Sequence, residues 1–128
     1  MQKWVVPCNV KNFDIVEHFA TQNTAYFKRN RPLALGDEVY IYLAKPYSEI
    51  KYKGVVIKTG INPTDVDKAY KVSCIEDKTF ALIELTKEFP SQTFPVDALK
   101  EHGLGQVVNQ SLIRGKIEDY ITSIEESP

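Results

Sequence analysis

Apolar, β-branched and aromatic residues crowd residues 3–8, KWVVPC, and predict a first strand. Pro7 has no N–H to give, so this strand is expected to end there or to run along an edge. The period then lengthens. Phe13, Val16, Phe19 and Ala20 recur at helical spacing, with Asn12 placed as N-cap and Asp14 and Glu17 in the early turns. That pattern predicts a helix over 13–22.

From Thr21 to Asp37 the pattern reads as a connection. It carries a basic knot, Lys28, Arg29 and Arg31, and ends in the turn signal Gly36-Asp37. Strands are predicted over 38–44 (EVYIYLA) and 50–58 (IKYKGVVIK), with a turn at Lys45-Pro46-Tyr47-Ser48 between them. Residues 59–67 gather Gly, Asn-Pro and Asp and predict a loop. Two more strands, 69–77 and 79–89, are expected to form a hairpin about Asp77-Lys78. Pro95 suits the first turn of a short helix closed by Gly103. Ser111 is expected to cap a last helix whose apolar stripe is Leu112, Ile113, Ile117, Tyr120, Ile121 and Ile124.

The predicted order is β-α-β-β-β-β-α-α. A parallel sheet needs a crossover between each pair of strands, and a single early helix cannot supply them. The expected fold class is therefore α+β: a mixed, curled sheet or barrel of five to six strands with peripheral helices. The length of 128 residues suits a single domain spanning 1–128.

Apolar residues at 43% and charged residues at 26% give the balance of a soluble globule. No apolar run is long enough to span a bilayer, so no membrane partner is expected. Pro7 and Asn9 break the apolar run at the N-terminus, which removes a secretory signal and leaves the cytoplasm as the expected compartment. Net charge is −1, but it is unevenly spread. Residues 1–60 hold nine Lys/Arg and five Asp/Glu, a balance of +4; residues 61–128 hold seven and twelve, a balance of −5. One basic and one acidic face would follow, and the basic one permits a polyanion.

Searches for self-contained chemistry fail. Cys8 and Cys74 make neither a disulfide framework nor a zinc site, and both are expected as buried thiols. His18 and His102 are the only histidines, and each has an ordinary structural explanation on its helix. No metal-ligand spacing, phosphate-cradling glycine loop or nucleophile elbow occurs, so no metal and no cofactor is expected. What stands out is the interleaving of aromatic and basic residues from Tyr26 to Lys58. Aromatic faces stack on bases and lysines track phosphates. Tyrosine-rich strands and surface lysines also occur for purely structural reasons.

At these residues the chain resembles the EVE domains of the PUA-like superfamily, relatives of YTH and ASCH domains. Trp4 opens a strand that ends in Asn9. Phe27-Lys28-Arg29-Asn30 matches the family's aromatic followed by Arg-Asn. Gly36-Asp37 starts the strand carrying Tyr42, and another strand begins at Ile50. YIYLAKPYSEIKYKGVV is similar to bacterial EVE-like domains, some of them fused to HNH nucleases. The resemblance implies a PUA-like barrel with a pocket for a modified nucleobase, serving modification-dependent restriction or RNA metabolism. It implies Trp4, Asn9, Phe27, Tyr42 and Tyr52 at the base, and Lys28, Arg29, Lys45, Lys51 and Lys53 on the phosphates. The implied partner is DNA or RNA bearing a modified base. With no HNH residues here, cutting would fall to a separate nuclease subunit.

The chain also departs from the family. Phe27 stands where EVE domains have Trp, Ala44 where they have a polar residue, and Tyr52 where they have Gly. Two other readings stay open. One is a small ASCH-like hydrolase with Lys51 or Lys53 as nucleophile or base. The other is a protein-interaction subunit.

Overall fold

The alternation along residues 38–43 sets the architecture. In a strand, successive side chains point to opposite faces. Val39, Ile41 and Leu43 enter one buried cluster, while Tyr40 and Tyr42 belong to another. One sheet thus carries a core on each face. A computed structural model describes residues 2–11, 13–28, 31–45, 47–61, 80–105 and 110–126.

The strands are β1 (Lys3–Cys8), β2 (Thr24–Lys28), β3 (Glu38–Leu43), β4 (Glu49–Ile61), β5 (Phe80–Glu88) and β6 (Ser111–Leu112). The helices are α1 (Ile15–Thr21), α2 (Val96–Glu101) and α3 (Lys116–Glu125). The six strands form one mixed sheet in the order β2-β5-β4-β3-β1-β6. Only β1 and β3 pair in parallel, with Trp4 level with Val39 and Cys8 with Leu43. α1 and β2 lie in the crossover between them.

The first cluster joins Trp4, Val6 and Cys8 of β1 to Ile15 and Phe19 of α1 and to Phe27, Tyr52 and Ile83. The second joins Val5, Tyr40 and Ile50 to Phe89, Phe94, Leu99 of α2, and Ile117 and Ile121 of α3. Each large apolar side chain so buried contributes about 1.5–3 kcal/mol.

Pro7 is accommodated by the short reach of β6. On β1, Gln2 and Cys8 accept from Glu38 and Ala44 on the β3 side, while Lys3 accepts from Ile113 on the other. Pro7 shares the side of Lys3, but β6 pairs only with Trp4 and Val5, so no ladder bond is lost.

Several elements differ from expectation. Residues 24–28 are a strand, because Thr-Ala-Tyr-Phe-Lys alternates and buries Ala25 and Phe27 against β5. α1 is shorter than 13–22: Asp14 caps it by accepting from the Glu17 N–H at 3.2 Å. Residues 59–61 continue β4 rather than opening a loop. Ser111 caps no helix. Ser111 and Leu112 pair with Val5 and Trp4, and α3 starts after Gly115, whose φ of 73° suits glycine. Asn12, the strand at 69–77 and the hairpin about Asp77-Lys78 lie outside the described residues.

Among the described residues the sheet is not closed into a barrel by strand pairing: its edges are β2 and β6. A side chain bridges them. Gln110, 4% exposed and next to β6, donates its amide to the Lys28 carbonyl at the end of β2 and accepts from the Arg31 N–H at 3.1 Å.

Candidate functional site

Five of the side chains expected at a nucleobase do not gather there. Trp4 is buried at 2% exposure and donates its indole N–H to Asp37 at 2.9 Å. It anchors β1 to the β3 entry. Phe27 packs in the first cluster and Tyr42 against the second, so they lie on opposite faces of the sheet. The alternation that buries Phe27 beside Ala25 fixes this outcome. Asn9 is exposed, and its side-chain oxygen accepts from the Lys11 N–H at 3.0 Å, shaping the turn into α1. Asn9, Phe27 and Tyr42 therefore form no common stacking site. Tyr52 belongs to the first cluster, with its ring edge-on to Phe19 at 4.9 Å.

The lysines divide likewise. Lys53 lies opposite Tyr40 and pairs with Glu125 at 2.8 Å and Glu38 at 3.2 Å. Burial favours its neutral form, but Glu125, Tyr40 and Glu38 outweigh that and push its pKa above the ordinary lysine value. Lys53 is thus neither a spare phosphate contact nor a neutral nucleophile. Lys51 donates to the Phe89 carbonyl at 3.3 Å and lies 3.8 Å from Glu88. Lys45 is exposed and Lys28 half-buried at the end of β2; Arg29 lies outside the described residues.

A different constellation forms where α1 crosses the end of the first cluster. The Asn9 carbonyl accepts from Phe13, and the Cys8 thiol points at the Phe13 carbonyl at 3.8 Å. Tyr47, on the turn between β3 and β4, is partly buried against the same cluster. The Tyr52 hydroxyl is pushed up to about 12, by burial first and then by Glu88, Tyr47, Asp14 and Cys8. Burial, helped by Asp14, also pushes the Cys8 thiol up to about 12, which makes it a poor nucleophile near neutrality. Glu88 lies level with Tyr52 across β4 and β5, Lys51 sits 3.8 Å from Glu88, and Tyr47 packs on the cluster that holds Tyr52. Tyr47, Asp14 and Glu88 were legible as residue types only. The place of Glu88 beside Tyr52 depends on the β4–β5 register.

Both histidines take backbone partners: His18 Nε2 meets the Thr24 carbonyl at 2.7 Å, and His102 Nδ1 meets that of Ala98 at 2.8 Å. The described residues contain no cluster of three or more metal-ligating side chains. On the other face an open groove of about 470 Å³ lies between α2 and α3, floored by the stacked rings of His102 and Tyr120. Among the described residues no helix is long and apolar enough to cross a membrane.

No protein-family model and no curated protein matches the chain. Solved structures do. A variant of the ASCH protein from Zymomonas mobilis aligns with a TM-score of 0.69 at 14% identity, over 96% of each chain. A protein from Pseudomonas syringae aligns at 0.69 and 18% identity, over 95% of this chain and 98% of that one. The DUF55 domain of human thymocyte nuclear protein 1 aligns at 0.65 and 15% identity, over 98% and 99%. The chain shares the fold of these structures.

Proposed function

We propose that the chain is a nucleic-acid-binding module of EVE type that holds a modified nucleobase at the α1 end of the first cluster. The observation that carries the reading is Tyr47, partly exposed on the turn into β4 where it packs on the first cluster, beside the exposed Lys45. A tyrosine face stacks on a base, and carboxylates accept hydrogen bonds from a base edge. The base site thus moves from Asn9, Phe27 and Tyr42 to the partly exposed Tyr47, with Tyr52, 1% exposed, left in the core. The phosphate contact moves to the exposed Lys45, on the same turn as Tyr47. Likeness to ASCH and DUF55 domains supports a binding module of this fold, and cutting is left to a separate nuclease chain.

The test is a binding screen of labelled DNA and RNA oligonucleotides bearing different modified bases. Binding of one modified form well above its unmodified counterpart is expected. Tyr47→Ala should lose about 1–3 kcal/mol, the usual worth of one base–aromatic stack. Affinity should fall with salt by roughly one log unit per log of salt for each phosphate neutralised. Equal binding of all bases, or none, would overturn the reading. A hydrolase is the second reading, favoured by the likeness to the Zymomonas ASCH protein. Its lysine nucleophile would have to be Lys51, because Lys53 is held charged.

A further inference from the structure

The groove between α2 and α3 is built from side chains of both helices and lies outside the nucleic-acid reading. Its volume of about 470 Å³ falls within the span of ligand sites, roughly 300–1,000 Å³. Its floor is fixed. His102 Nδ1 faces the Ala98 carbonyl at 2.8 Å, and a carbonyl can only accept, so Nδ1 carries the proton. The His102 ring lies parallel to that of Tyr120 with centroids 3.9 Å apart, and Tyr120 stands edge-on to the buried Phe94. Gly103, at a φ of 101°, lets the end of α2 close on Lys116: a Cβ there would sit 3.9 Å from the Lys116 Cβ.

The walls carry charge. Glu101 comes from α2 and Asp119 from α3, both exposed, and Lys116 is the cation among the lining residues. Among the described residues neither carboxylate forms an ion pair. Two carboxylates, one on each helix, above a stack of rings suit a flat cation. A guanidinium has donors for both carboxylates in one plane and lies face-down on an aromatic ring. An ammonium is a point charge with no face to stack. We propose that this groove receives an arginine side chain from a basic peptide segment of a partner. The charge complementarity extends past the groove, since Asp97 on α2 and Glu126 at the end of α3 are exposed as well.

The whole chain is titrated with a labelled, end-capped arginine–glycine repeat peptide, and with matched peptides carrying lysine or citrulline in place of arginine. The arginine peptide should bind, the lysine peptide more weakly, and the citrulline peptide, neutral but of the same shape, not measurably. Ring resonances of His102 and Tyr120 should shift on binding. Glu101→Gln and Asp119→Asn should each raise Kd roughly fivefold, the upper end for an exposed ion pair. His102→Ala should raise it roughly threefold, the share of one exposed cation–ring contact. Glu101 and Asp119 lie at the surface, so both variants should melt with the parent. Asp97→Asn removes an exposed charge of α2 outside the groove and should leave Kd unchanged.

An arginine peptide that does not bind overturns the proposal. So does equal binding of the citrulline peptide, because charge would then not be read. A loss in Asp97→Asn as large as that in Asp119→Asn overturns it too, since that marks diffuse attraction to an acidic surface. Equal binding of arginine and lysine peptides with unmoved His102 and Tyr120 resonances leaves the rings without a part and has the same effect. None of these outcomes bears on Tyr47 and the nucleic-acid reading.

Discussion

Lys53 and Tyr40 face each other across β4 and β3, and both bond the carboxylate of Glu125 on α3. The ammonium also lies over the Tyr40 ring, 5.2 Å from its centroid. Glu125 thus ties the last helix to the middle of the sheet at a boundary where the Lys53 and Glu125 side chains are 21% and 16% exposed.

Glu125→Ala should cost about 1–3 kcal/mol, between the values for exposed and fully buried pairs. Denaturant unfolding of Glu125→Ala, Lys53→Met and the double variant would give the coupling, expected to be positive. The alkaline limb of stability should respond as well. Burial and Glu125 raise the Tyr40 pKa; burial lowers that of Lys53, but Glu125, Tyr40 and Glu38 together outweigh it and raise it. Groups with raised pKa lend stability that is full below their unfolded values, about 10, and is lost as pH rises through the folded ones. The parent should therefore lose stability above about pH 10, and Glu125→Ala should lose less.

Asp37 makes the opposite pH prediction. It is 3% exposed and accepts from the Gln2 N–H, the Trp4 indole and the Ala34 N–H at 2.9–3.1 Å. Burial opposes its charge, but these hydrogen bonds outweigh burial and hold its pKa below the usual carboxylate value. Its stabilisation is full above the unfolded pKa of about 3.9 and is lost as pH falls through the folded value. Asp37→Asn should cost about 1.5–3 kcal/mol at neutral pH, the worth of hydrogen bonds to a charged group. The gap to the parent should narrow below about pH 4. A gap that stays constant to pH 2 would show that charge is not what Asp37 supplies.

Gly54 sits on β4 opposite Leu85 of β5, beside a shift in their register. A Cβ there would lie 2.5 Å from Ile83 Cγ2 and 2.7 Å from the Glu84 carbonyl oxygen. The carbonyl belongs to the backbone and cannot turn aside, so Gly54→Ala should destabilise by about 1–3 kcal/mol. Thermal unfolding checks it.

Phe27→Ala separates a core role from a binding role. At 8% exposure in the first cluster, Phe27 should cost about 3–5 kcal/mol of stability when truncated. A folded variant with unchanged stability would return Phe27 to the surface and to the base-binding role the family resemblance implies.

Cys8 should resist thiol reagents at neutral pH until the chain unfolds, because its thiol is buried and raised to about 12. Peptide mapping after brief alkylation, with and without denaturant, reads this out at Cys8 alone.

The fold was legible where the hydrophobic period was clean. Residues 38–43 alternate without interruption, and the strand, its turn at Gly36-Asp37 and its pairing partner all follow. Residues 24–28 have the same alternation, but it spans only five positions beside a basic knot, and charge concealed it. Ser111 carried a true cap signal that Leu112 overrode by pairing with Trp4, a contact more than a hundred residues away. The site failed for a related reason. A strand's parity decides which face a side chain joins, and the family motif names residues without their parity in this chain. Trp4, Phe27 and Tyr52 share the first cluster as core side chains, whereas Tyr42 shares a face with Tyr40. Lysines were visible in the sequence, but the carboxylates that neutralise Lys53 lie 15 and 72 residues away.

Along β2, the Asn23 carbonyl accepts from Leu85 on β5, so the carbonyls of Thr24 and Lys28 turn outward. Each meets a side chain of this same chain: His18 at Thr24 and Gln110 at Lys28. An incoming strand would have to displace an imidazole at one end and an amide at the other before it could zip onto this edge. Exposed strand edges are where β-proteins aggregate or swap segments. Both plugs come from parts of the chain that fold against the sheet anyway, so the obstruction arises with the native structure and disappears when α1 or the segment before β6 comes loose. Aggregation of this protein should therefore begin from partly opened molecules rather than from the native fold.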